Sequence, residues 1–223
     1  MTNEDKTRKL FLLGVIVLGV LIVGGIMWAI LAGPGPSDGS GSVESSLQFS
    51  DDNDPSIGAS TSTAVVRIFG DLQCPACRAA EPGVEYAIKT YGDRVKFIWN
   101  DFPLTDVHPN AMAGAQAARC AEEQGKFWEF HDKLYSNQPE WAEHGVPTDS
   151  FTKYASELGL RADAFVGCVA TKKYSNKIND DMAEGRSNNV QATPTFFVGQ
   201  RRFEGGMTND KWDLAIKTLL AHP

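Results

Sequence analysis

The chain has 223 residues, 42% of them hydrophobic and 22% charged, with four cysteines and a formal net charge of -7. These values exclude a disordered or fibrous chain and a disulfide-dense miniprotein. The mild acidity, with no basic stripe, gives no nucleic-acid partner to expect. The hydrophobic share is unevenly placed. Residues 10–31, LFLLGVIVLGVLIVGGIMWAIL, carry no charge and at 1.5 Å each make a helix of roughly 33 Å, enough for a hydrocarbon core of about 30 Å. A cleaved signal peptide competes with this reading, but signal h-regions run about 7–15 residues and end in an A-x-A-like site. Ile30-Leu31-Ala32 lacks the first small residue of such a site. Lys6, Arg8 and Lys9 precede the run, and no Lys or Arg follows until Arg67. The positive-inside bias predicts a cytoplasmic tail over 1–9, a single-pass anchor over 10–32 in the cell (inner) membrane, and the remainder on the extracytoplasmic or periplasmic side.

Residues 33–62 are rich in Gly, Ser, Pro and Asp and hold acids but no bases, the composition of a flexible linker. The folded domain is then expected over 63–223, long enough for one sizeable core. Ala64–Phe69 reads as a mostly buried strand. A helix follows from Pro75 to about Tyr91, opened by a first-turn proline and closed at Gly92, and Arg94–Trp99 reads as a second strand. This β-α-β unit predicts a right-handed parallel crossover. Residues 109–187 read as almost wholly helical, with Phe127, Phe130, His131 and Leu134, then Phe151, Tyr154, Ala155 and Leu158, at helical spacing. Thr195–Val198 and Arg201–Glu204 flank Gly199-Gln200 as a short hairpin. The last helix carries Trp212, Ala215, Ile216 and Leu219 on one face, with cap candidates from Thr208 to Asp210. The fold class is α/β, with a helical insertion at about 105–188.

Cys74-Pro75-Ala76-Cys77 lies where the first strand turns into the first helix. A cysteine at a helix N-terminus meets unpaired backbone N–H groups and the positive end of the macrodipole, and both favour the thiolate. Thiol–disulfide exchange needs one exposed sulfur to form a mixed disulfide and a second to resolve it. Helix geometry makes Cys74 the nucleophile and Cys77 the more buried resolving thiol. Zinc would require a second ligand pair, yet Cys120 and Cys168 are isolated and the histidines form no H-x₃₋₅-H. A purely structural bridge across three residues would close too small a loop to stabilise much. There is no Gly-rich phosphate loop, no pair of catalytic carboxylates and no Ser/His/Asp arrangement, so no cofactor and no metal are expected. His131, on an apolar helical face, reads as a core histidine, and His108 as a loop residue.

Asp54-Pro55-Ser56-Ile57-Gly58, Phe69-Gly70-Asp71-Leu72-Gln73-Cys74-Pro75-Ala76-Cys77, Gln124-Gly125-Lys126-Phe127-Trp128 and Ala192-Thr193-Pro194-Thr195-Phe196-Phe197-Val198 together resemble the DsbA-like thiol:disulfide oxidoreductases of the thioredoxin superfamily, in particular membrane-anchored and Gram-positive members. The resemblance covers about residues 51–221. It implies a thioredoxin fold with an inserted helical domain, a cis Pro194 beside Cys74, and a Thr193 backbone that pairs with extended substrate. The strongly oxidising enterobacterial type has His between its cysteines where this chain has Pro75-Ala76. A Cys74 pKa less depressed than in that type, and a less oxidising disulfide, are therefore expected. Glu81 falls where the family carries an acid that tunes proton transfer, and Asp71 is a second candidate for that role; a solvated surface position is the plain reading of both. Cys120 and Cys168 read as a structural disulfide, two buried thiols or a second redox relay, and a bridge in the helical domain of several relatives supports the first.

The resemblance further implies an enzyme, most readily a dithiol oxidase for secreted or envelope proteins, with unfolded or reduced secreted proteins as substrates. It implies reoxidation by a quinone-linked membrane partner of the DsbB or VKOR type, and a monomer is expected. A disulfide isomerase or reductase, and a tethered binding module that keeps the fold without catalysis, are the alternatives.

Overall fold

A computed structural model describes residues 47–50, 54–143, 145 and 147–222. The expected tail over 1–9, the anchor over 10–32 and the first part of the linker lie outside the described residues. Among the described residues no helix is long and apolar enough to cross a membrane. Five strands form one sheet in the order β1-β3-β2-β4-β5: β1 (Ser56–Gly58), β2 (Val65–Gly70), β3 (Lys96–Asp101), β4 (Thr195–Val198) and β5 (Arg201–Glu204). Helix α1 (Pro75–Tyr91) crosses between the parallel pair β2 and β3, which align Val65 with Lys96 through Gly70 with Asp101. Strand β4 runs antiparallel to β2, pairing Ile68 with Phe196, and turns into β5. Between β3 and β4 stand α2 (Ala111–Glu122), α3 (Phe127–Ser136), α4 (Gln138–Trp141), α5 (Thr148–Glu157), α6 (Ala162–Ala170) and α7 (Ser175–Ser187). Helix α8 (Asn209–Ala221) closes the domain, with Thr208 Oγ1 capping its first turn by accepting from Lys211 N.

The linker expected over 33–62 gives up its last part to the fold. Ser56–Gly58 pairs antiparallel with β3, and Pro55 O accepts from Trp99 N at 2.9 Å. A three-residue edge strand is too short for an alternating pattern, which is why a Gly/Ser/Asp-rich composition hid it. Leu47 and Phe49 also pack on the sheet, where Phe49 meets Phe197 with ring centroids 4.9 Å apart and Arg67 stacks over Phe49.

Both faces of the central strands β2, β3 and β4 are covered, so these read as mostly apolar runs and not as alternation. Successive residues point to opposite faces. Phe196 packs against Trp212 of α8, centroids 4.9 Å apart, while Phe197 meets Phe69 on the other side. Gly70 ends β2 because a Cβ there would lie 2.2 Å from the Trp99 ring. The absent side chain lets Trp99 fold under the turn that carries the cysteines.

Candidate active site

Cys74 is the N-cap of α1, in extended conformation, and Pro75 supplies the first helical residue, where a missing N–H costs nothing. Cys74 is 6% exposed and Cys77 2%, while Pro75 and Ala76 are exposed. Both cysteines are free thiols. The Thr193–Pro194 bond is cis, and this loop lies against the nucleophile: Cys74 Sγ donates to Thr193 O at 3.6 Å. Thr193 Oγ1 is buried without a hydrogen-bond partner, so its hydroxyl is a ready donor once the sulfur ionises.

The two sulfurs are driven apart in acidity. A hydrogen bond from Cys77 is the largest cause that lowers the Cys74 pKa to about 5; burial opposes it, while Thr193 and the N–H groups of Cys77 and Ala76 help. Burial, then the hydrogen bond to Cys74, pushes Cys77 well above the ordinary thiol range. At neutral pH Cys74 is an attacking thiolate and Cys77 holds its proton.

Asp71 is fully buried, against the surface reading of the sequence. Its carboxylate accepts from Gln73 N at 2.8 Å and Leu104 N at 2.9 Å, and His108 Nδ1 lies 2.6 Å from Oδ2. Its carbonyl accepts from Cys74 N and from the Tyr135 hydroxyl. Asp71 therefore shapes the turn before Cys74 and does not face solvent. Glu81 is also drawn inward, with its side chain 14% exposed. Burial raises its pKa to about 7, His131 opposes, and Asp132 and Glu85 add to the rise. The structure replaces the solvated face with a largely buried carboxyl four residues after Cys77.

The inserted helices hold the cysteine turn through groups that sequence reading did not single out. Gln138 Nε2 donates to Leu72 O at 3.0 Å and Cys74 O at 3.1 Å. Gln73 Nε2 donates to Ala142 O, and Gln73 Oε1 accepts from Asn110 N, both at 2.6 Å. The only signal for Gln73 was its place beside Cys74. Gln138 and Asn110 gave none, because their value lies in contacts 64 and 37 residues away in sequence.

Cys120 of α2 and Cys168 of α6 form a disulfide with Cα atoms 5.8 Å apart, wholly inside the insertion. The side chains of Glu81, His131 and Asp132 converge, with one nitrogen or oxygen atom of each within 4.8 Å of the others. A cavity of about 480 Å³ between α2, α5 and α6 is lined by Met112, Phe151, Phe165 and Val169 among others, and by none of the cysteine or cis-proline residues.

Na(+)/H(+) antiporter NhaA 3 of Salinispora tropica is 34% identical over 181 residues, which is 81% of this chain but 27% of that protein. The chain thus spans about a quarter of the length of the curated relatives it matches, and the antiporter name belongs to the longer molecules. Oxidised BdbD from Bacillus subtilis superposes with a TM-score of 0.70 at 22% identity, covering 79% of this chain and 97% of that one. The thiol-disulfide exchange protein alpha-DsbA2 from Wolbachia pipientis gives 0.67 at 20% identity, covering 76% and 88%. At these identities the likeness speaks to the fold. A family model described as thioredoxin matches residues 50–218, a span that takes in every strand of the sheet. The chain belongs to the thioredoxin family, with the fold of its DsbA-like thiol-disulfide oxidoreductases.

Proposed function

We infer that the protein is a dithiol oxidase that introduces disulfides into reduced secreted or envelope proteins. The observation that carries this reading is a cysteine pair at the start of α1, with Cys74 Sγ 3.6 Å from Thr193 O and Cys77 only 2% exposed. Oxidised enzyme accepts a substrate thiolate at the Cys74 sulfur, and the electron pair of the broken S–S bond leaves on Cys77. The substrate's second thiol, as thiolate, then attacks its own mixed-disulfide sulfur and releases Cys74 as a thiolate. Thr193, buried beside the nucleophile, offers backbone to an extended substrate. The thiolate stabilisation at Cys74 favours the reduced enzyme and so makes its disulfide a stronger oxidant. A Cys74 pKa of about 5 lies between about 7 for thioredoxin and about 3.5 for DsbA. The reduction potential is accordingly expected between about -270 and -120 mV.

Redox equilibration against glutathione tests the direction. A value at or below thioredoxin's would overturn the oxidase reading in favour of a reductase. Cys74→Ser should abolish both insulin reduction and oxidative refolding of a reduced client. A domain that shows neither activity and whose Cys74→Ser variant still holds its partner would be a binding module. The charge bias around residues 10–32 supports an anchored, extracytoplasmic placement, and reoxidation would then fall to a quinone-linked membrane partner of the DsbB or VKOR type.

A further inference from the structure

Cys77 and Glu81 stand one turn apart on α1 and share a face. Beyond Glu81 lies His131, whose Nε2 is 3.9 Å from Glu81 Oε1 and whose Nδ1 is 2.9 Å from Asp132 Oδ1. The side chains of Glu81, His131 and Asp132 are 14%, 2% and 62% exposed, so the line reaches open solvent at Asp132. His131 Nε2 is buried without a hydrogen bond, a condition rare among buried polar groups. Nor can the ring turn freely. Trp99 and Tyr135 each pack on it at 4.8 Å between centroids, Trp128 at 5.2 Å and Phe127 at 6.1 Å. The other ionisable groups facing this line are Glu85 from α1, Tyr135 from α3, and Asp71 and Cys74 from the preceding turn.

We propose that His131 is a proton relay, acting through Glu81, that passes the proton taken up and released by Cys77 between the buried site and solvent at Asp132. The proposal rests on the thiol–disulfide exchange reading above. When the Cys74–Cys77 bond breaks, Cys77 leaves as a thiolate and takes the proton of the Glu81 carboxyl. The Glu81 carboxylate takes a proton from Nε2–H of His131, and Nδ1 takes one from solvent by way of Asp132. One solvent proton has entered, and the imidazole has changed tautomer. When Cys77 next gives up its proton to close the disulfide, every transfer runs backward and the first tautomer returns. A redox cycle alternates the two directions, so the ring never has to flip, and a ring held by four aromatic neighbours suits that use.

Because a relay carries protons both ways, its loss slows both directions alike and leaves the equilibrium where it was. A packing defect has no such symmetry. The test follows, in the full chain from pH 5 to 9, reduction of the 74–77 disulfide by dithiothreitol and its reoxidation by oxidised glutathione. His131→Phe keeps an aromatic ring in the cage and has no proton to pass. Both rates should fall about tenfold or more while the reduction potential stays put, and free imidazole should restore speed to His131→Ala. Unchanged rates would overturn the relay, as would a shifted potential without common slowing. If His131→Phe fails to fold, His131→Gln is judged by the same two rates. Slowing in Glu81→Gln with none in the His131 variants overturns the relay alone. Cys74→Ser that keeps full activity overturns the exchange reading beneath it.

Discussion

Thr193 meets the nucleophile with two groups of opposite character, a carbonyl that accepts from the Cys74 thiol and a buried hydroxyl that can donate to its thiolate. Thr193→Val keeps the shape and the carbonyl but removes the donor. A hydrogen bond to a charged group contributes about 1.5–3 kcal/mol, so the Cys74 pKa should climb from about 5 by about one to two units; thiolate absorbance against pH checks it. Glu81 makes a different prediction, on stability. Its pKa rises from 4.5 to about 7 on folding, so the folded chain holds this proton more tightly than the unfolded one. The group therefore costs stability as pH climbs from about 4.5 to 7, and the full cost remains above that range. Glu81→Gln should match the native chain at pH 4 and exceed it at pH 8 by up to about 3 kcal/mol, read from urea unfolding at the two pH values. Sequence reading located the cysteines because spacing and helix position are local facts. It could not place Asp71, His108 or Gln138, whose roles depend on a loop and an insertion folding back over the turn.

The elements of the insertion are fastened to the sheet by charge as well as by packing. Arg119 of α2 is fully buried, with Asp101 Oδ2 and Asp181 Oδ2 each at 2.6 Å and Asp54 Oδ1 at 3.0 Å. Lys177 of α7 joins Asp54 and Asp181. One guanidinium thus ties α2 to the end of β3, to α7 and to the residue two before β1. Arg119→Leu would leave these carboxylates buried with a single ammonium between them. It should cost about 3–5 kcal/mol at neutral pH, and less in mild acid, where Asp181, whose carboxyl burial raises to about 7, takes up a proton; denaturant midpoints at both pH values measure it. An equal loss at both would mean that packing, not charge, is what Arg119 provides. The helix itself fell within the stretch 109–187 that reads as almost wholly helical. The network was not legible, because an Arg in a helical window is usually solvated and its three acids come from three distant stretches of chain.

Over the whole molecule, the order β-α-β, helical block, β-β-α was readable because each flank has its own punctuation: Pro75 and Gly92 around the first helix, Gly199 in the hairpin, Thr208 before the last helix. Composition did not show the domain edge, which only the resemblance over 51–221 took in, since Asp54 and Ser56–Gly58 join the fold through partners that lie tens of residues downstream. The disulfide between α2 and α6 carries a consequence of another kind. Under the proposed function, each newly made chain needs the reaction that finished copies perform, and so production of the protein feeds on its own product. The first molecules must wait for slow oxidation by small oxidants, and each completed one hastens its successors. Oxidative refolding of the reduced chain should therefore begin with a lag that a trace of native oxidised protein abolishes. The double variant Cys120→Ala, Cys168→Ala should gain its fold without that lag, and native chain refolding at a constant rate from the start would count against the dependence.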